Sequence, residues 1–93
     1  MKKTTYFLHI EIDKEFSHEE EEFFFYGNDL GEIFHEIMST VRYYANAEIC
    51  PDAWQADAEL YNEDSGTYLC SITAAAYNKG IKVFRDWEIV NVY

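Results

Sequence analysis

Residues 4–13 alternate with a period of two. Tyr6, Leu8, Ile10 and Ile12 share one face, with Phe7, His9 and Glu11 on the other. Such alternation predicts a β-strand with its apolar face toward a core. Residues 14–18 are polar and short enough to link antiparallel strands, and a second strand is expected over residues 19–26. Its leading residues Glu19, Glu20, Glu21 and Glu22 favour strand poorly, so its first half is expected to be an exposed, frayed extension.

After Gly27 and Asn28 the period changes. Leu30, Ile33, Phe34, Ile37, Met38, Val41 and Tyr44 recur at spacings of three and four, the apolar stripe of an amphipathic helix. Asp29 followed by Glu32 fits a capping box at its start. Its polar side carries Glu32, His35, Glu36, Ser39 and Arg42, and it is expected to fade near Asn46, before the break at Cys50 and Pro51. The period of two then returns: Trp54, Ala56, Ala58 and Leu60 oppose Gln55, Asp57, Glu59 and Tyr61 in a third strand. Turn chemistry at residues 62–66 (NEDSG) leads into a fourth strand over residues 67–77, with Tyr68, Cys70, Ile72 and Ala74 on one face. The alanines of residues 71–78 would also suit a helical turn, but strand is the expectation. Asn78, Lys79 and Gly80 supply a turn, and residues 81–93 read as a final strand whose phase slips at Arg85 and Asp86, the mark of a β-bulge.

The order strand, strand, helix, strand, strand, strand predicts an α+β fold. A single antiparallel sheet of about five strands would carry the one amphipathic helix on one face. Residues 1–93 make one domain, large enough to bury about 60–65% of the surface its unfolded chain exposes. No repeat or linker divides it.

Charge changes the picture most. Eighteen acids against seven bases leave a formal charge of −11, while 48% of the residues are hydrophobic and 18% aromatic, so the acids decorate a folded body. The field repels DNA, RNA and anionic lipid, whose protein partners bind phosphate through Lys and Arg. A partner should therefore be basic. No apolar run reaches the length of a membrane span, and residues 1–5 lead into alternation rather than an apolar leader. Cys50 and Cys70 lack metal-ligand spacing and are expected as unpaired thiols in a reducing cytoplasm.

No catalytic residue, cofactor site or metal site is assigned. Glu32 and His35 form one E-x-x-H pair, but a carboxylate-bridged di-iron centre needs a second pair on a facing helix. His9, His18 and His35 share no ligand spacing. Residues 62–66 lack the distal bidentate glutamate of a calcium loop. No nucleophile elbow or phosphate loop is present, and no carboxylate pair stands out for acid–base work.

The remaining signal lies in residues 11–26, where seven carboxylates are followed at once by Phe23, Phe24, Phe25 and Tyr26. Consecutive apolar residues face both sides of a strand, so either Phe24 or Phe23 with Phe25 lies away from the core. Acids on an edge strand also discourage pairing with another chain. As a contact surface for a basic partner, the expected residues are Glu11, Asp13, Glu15, Glu19, Glu20, Glu21, Glu22, Phe24, Asp57 and Glu59. Alternate carboxylates on a strand are about 6–7 Å apart, close to the phosphate spacing of a nucleic-acid strand. In size, charge and lack of catalytic motif the chain resembles the small acidic inhibitors of restriction and CRISPR enzymes carried by phages and mobile elements. That resemblance is one of composition, and immunity proteins and antitoxins share it. It implies an inhibitor that blocks the basic groove of a nucleic-acid-handling enzyme. The alternative is a homo-oligomeric structural or accessory domain, such as a homodimer, pairing through its aromatic strand.

Overall fold

The first hairpin forms over its whole length. Strand β1 (Thr4–Lys14) pairs antiparallel with β2 (His18–Gly27), from Thr4 opposite Gly27 to Asp13 opposite His18. The glutamate run is thus part of the ladder rather than a frayed extension. Successive glutamates project to opposite sides of the sheet, which halves the like-charge crowding on each side. Lys14 Nζ lies 3.0 Å from Glu19 on one side, and His9 Nε2 lies 3.3 Å from Glu20 on the other.

This is a computed structural model, and it describes residues 3–46, 48–50, 52–77 and 80–90. Helix α1 (Leu30–Tyr44) follows the hairpin, then β3 (Ala53–Asn62), β4 (Thr67–Tyr77), β5 (Gly80–Arg85) and β6 (Glu88–Val90). The strands form one antiparallel sheet in the order β2-β1-β3-β4-β5-β6. The fold class is as expected, with six strands where about five were anticipated. The expected break at Pro51, the turn residues Asn78 and Lys79, and the end of the last strand at residues 91–93 lie outside the described residues.

The helix start follows the sequence closely. Asp29 takes an extended conformation and its carboxylate accepts from the Glu32 N–H at 3.0 Å. Glu32 reaches back to the Asn28 N–H at 2.8 Å, one residue before the cap. Gly27 is needed where strand turns into helix, because a Cβ there would stand 2.8 Å from Ile33 Cγ2. Ile33, Ile37, Met38 and Val41 are buried against Tyr6, Leu8, Ile10, Ile12, Leu60, Cys70, Ile72 and Val83, over a floor of Ala56, Ala58 and Ala74. Burying that apolar surface is the main force seating the helix on the sheet.

Two β-bulges overturn two expectations. Between β1 and β3 the register shifts, so that Lys14 opposes Ala53 and Trp54 is the extra residue. Ala53 is buried and Trp54 is exposed, although alternation puts Trp54 on the face of Ala56. Between β3 and β4 the shift skips Leu69, so Tyr68 opposes Tyr61 rather than sharing the face of Cys70. One extra residue reverses the facing of everything beyond it.

The slip at Arg85 and Asp86 is a reversal and not a bulge. Arg85 opposes Glu88, and the chain turns through Asp86 and Trp87, both at positive φ (49° and 70°). Two-residue turns with this backbone match the twist of the flanking strands. The Asp86 N–H donates to the Ser71 carbonyl at 3.0 Å, and the Asp86 carboxylate accepts from the Ser71 N–H at 2.9 Å. These bonds dock the turn on β4.

Candidate functional site

The sheet face away from α1 has no cover among the described residues. Registers across the strands set out its rows. Glu22, His9, Glu59 and Ser71 form one row across β2, β1, β3 and β4, and Glu20, Glu11, Asp57 and Thr73 form the next, extended by Phe84 and Ile89. On one side of these rows stand Phe24, Phe7, Tyr61 and Tyr68, with ring centroids 5.2, 6.2 and 5.7 Å apart in that order. On the other stand His18, Asp13, Gln55, Ala75 and Lys82. The two central rows contain no lysine or arginine.

Of the ten residues expected at a partner surface, Glu11, Asp13, Glu20, Glu22, Phe24, Asp57 and Glu59 share this face. Glu19 and Glu21 do not: they oppose Ile12 and Ile10 and so lie on the helix side. Glu15 sits in the β1–β2 turn, where its N–H donates to the Asp52 carbonyl at 3.0 Å. The residues are divided because the side-chain period of a strand is two, so a run of four glutamates cannot share one side. Phe24 and Tyr26 are the outward rings of the aromatic run, 51% and 63% exposed, while Phe23 and Phe25 turn inward and Phe23 meets Tyr44 at 5.8 Å.

The face is concave where the β5–β6 turn docks beside β4. A recess of about 320 Å³ is lined by His9, Glu11, Gln55, Asp57, Glu59, Ser71, Thr73 and Trp87. Asp57 at its floor is held by Gln55 Nε2, which donates to both carboxylate oxygens (3.1 and 2.9 Å), and by Thr73 Oγ1 at 3.1 Å. Glu59 accepts a short hydrogen bond from the Tyr61 hydroxyl. Trp87, Gln55, Ser71 and Thr73 carry no site signal in the sequence, and His9 stands there only as one of three histidines without ligand spacing. The phase slip beside Trp87 was visible, but a bulge would have explained it equally well.

Among the described residues one group has metal-ligand geometry: His9, Glu11 and Glu20 each place a ligand atom within 4.8 Å of the others. Such donors suit a divalent cation. The His9–Glu20 contact accounts for the arrangement equally well. The E-x-x-H pair is not assembled as a ligand set, since Glu32 is spent on the helix start. The NEDSG segment is a polar turn in which Asn62 accepts from the Ser65 and Gly66 N–H groups and Asp64 accepts from the Thr5 N–H.

Both cysteines are free thiols, Cys70 buried and Cys50 half-buried. Burial pushes both above the ordinary thiol value of 9.0. The Tyr61 phenol is raised above its ordinary 10.0 first by its hydrogen bond to Glu59, and Tyr44 first by burial and then by the Glu21 charge. Each group holds its proton more tightly when folded, so the associated stability is fully present below the unfolded values. It is lost as pH rises through the folded ones. Thermal unfolding followed by circular dichroism should therefore show a melting temperature that falls from about pH 9 upward, and Tyr61→Phe should reduce the fall.

Comparison of the chain with protein-family models, with curated proteins and with solved structures returned no match. Among the described residues no helix is long and apolar enough to cross a membrane.

Proposed function

We propose that this protein is an acidic inhibitor that seats its open sheet face in the basic nucleic-acid-binding groove of a partner protein. The observation that carries the reading is the grid of Glu11, Asp13, Glu20, Glu22, Asp57 and Glu59 on one rigid surface. Adjacent strands are about 4.8 Å apart and alternate residues about 6.8 Å, so the carboxylates present closely spaced negative charge as a phosphate backbone does. The ring row ending in Phe24 and Tyr68 borders the grid and supplies apolar contact that charge alone lacks. Carboxylates raise the rate of encounter, and rings slow dissociation.

The test begins with proteins captured on the immobilised chain from cells and released by duplex DNA. Each purified candidate is then loaded with fluorescent DNA and titrated with this protein. DNA displacement that saturates at equal stoichiometry and weakens with salt is the expected result. A partner that holds DNA and this protein together would overturn the proposal. Phe24→Ala should weaken capture while costing less than about 1.5 kcal/mol in stability, because half of the ring is already in water.

A second reading draws on the position of β2 at the sheet edge, with Phe24 and Tyr26 exposed. Two copies could pair there edge to edge. Light scattering separates the readings: a concentration-independent dimer that displaces no DNA from basic enzymes favours the homodimer.

A further inference from the structure

The recess that Trp87 lines has a chemistry more specific than the acidic face around it. Its floor is Asp57, whose orientation is set by Gln55 and Thr73, and its sides carry Glu11 and Glu59. Its lining includes the Trp87 indole, 73% exposed, on a turn bonded to Ser71. At about 320 Å³ it is at the small end of ligand pockets, enough for one side chain or small molecule and too small for a folded element.

Three carboxylates exclude an anion, and a neutral ligand would gain little from them. A cation fits, and the combination of a flat aromatic surface with a fixed carboxylate selects among cations. A guanidinium is planar, stacks on an indole and carries five N–H donors in a fixed fork that can reach more than one carboxylate at once. An ammonium is a compact, strongly hydrated point charge that uses neither the plane nor the fork as well. We infer that the recess is a socket for a single arginine side chain, stacked on Trp87, with its N–H donors divided between the open acceptor site on Asp57 Oδ2 and the neighbouring Glu11 and Glu59 carboxylates. The inference rests on the reading of a basic protein partner and names the residue type by which that partner is gripped.

The test uses the whole protein and the peptide Ac-Gly-Arg-Gly-NH₂, with the citrulline and lysine counterparts as controls. The Trp87 indole N–H is followed by ¹⁵N NMR, with Trp54 on the same protein as internal reference. The arginine peptide should shift the Trp87 resonance saturably and leave Trp54 in place. The citrulline peptide, of the same shape without the charge, should bind about tenfold more weakly or less. Trp87→Gly, which suits the positive φ at that position, should remain folded and, followed through the backbone amides of Asp57 and Glu59 because it lacks the indole, lose about 2- to 30-fold in affinity. Asp57→Asn keeps the side chain's shape and should lose about tenfold or more. Equal binding of arginine and citrulline peptides, or unchanged affinity in both variants, would overturn the socket. Trp87→Gly that still displaces DNA from the partner with unchanged affinity would overturn it too, while leaving the inhibitor reading in place. Arginine-peptide binding in a protein that displaces DNA from no partner would uphold the socket and overturn the inhibitor reading.

Discussion

Replacing Glu20 and Glu22 by glutamine should slow association with the basic partner about tenfold at low salt, whereas replacing Glu19 and Glu21 should leave the rate within about twofold. The two pairs lie on the same strand and each removes two charges from a total of −11. They differ in facing: Glu20 and Glu22 oppose Glu11 and His9 on the open side, and Glu19 and Glu21 oppose Ile12 and Ile10 on the helix side. Steering by net charge alone predicts equal effects, so the difference isolates the face. Stopped-flow association at two salt concentrations measures it, and the gap should close at high salt as screening shortens the reach of surface charge. Equal slowing by both pairs would mean that the grid is not where the partner docks. For Glu20 and Glu22 the relief of like charges should offset the loss of the His9–Glu20 contact, leaving thermal stability within about 0.5 kcal/mol. The Glu19 variant also gives up its ion pair with Lys14, a cost of about 0.2–1 kcal/mol.

Ile37→Ala should cost about 2–5 kcal/mol, a large fraction of the roughly 5–15 kcal/mol that holds a domain of this kind folded. Ile37 is fully buried at the middle of the one helix, and that helix touches every strand from β1 to β5. Truncation removes transfer free energy and leaves a cavity that a rigid sheet cannot collapse to fill. Urea denaturation reads this as a lowered midpoint with an unchanged slope. Ile89→Ala provides the contrast. Its side chain is exposed on the last strand, and the same kind of truncation should cost less than about 1 kcal/mol. A loss of that size at Ile37 as well would show that the helix does not cover the sheet as described.

The acidic grid was legible as charge before it was legible as a surface. Glu11 with Asp13, and Asp57 with Glu59, share faces simply because strand residues two apart do. The pairing of Glu11 with both Glu20 and Asp57 depends on strand order and register, which no local pattern states. The two aromatic misplacements have a common cause. Trp54 and Tyr68 were put on the core face by counting, and in each case one extra residue in a bulge reversed the count. Neither bulge carries a sequence mark of its own, since glycine is absent from both. The turn at Asp86 and Trp87 was equally hidden, because positive φ at a two-residue turn normally announces itself with asparagine and glycine.

Local physics written into the chain determined what depends on near neighbours. The helix follows from its apolar spacing and the Asp29 cap, the strands from their alternation, and the acidity from a count of side chains. Tertiary structure alone decided which strands became neighbours, which of four successive glutamates met the carboxylates of β1 and β3, and that Trp87 and Asp57 came to line one recess. Those outcomes follow from packing one helix over one sheet face. Bulges and turns are adopted to keep Ala53, Cys70 and Ile72 inside, and what the burial of those residues leaves outside becomes the face a partner would meet.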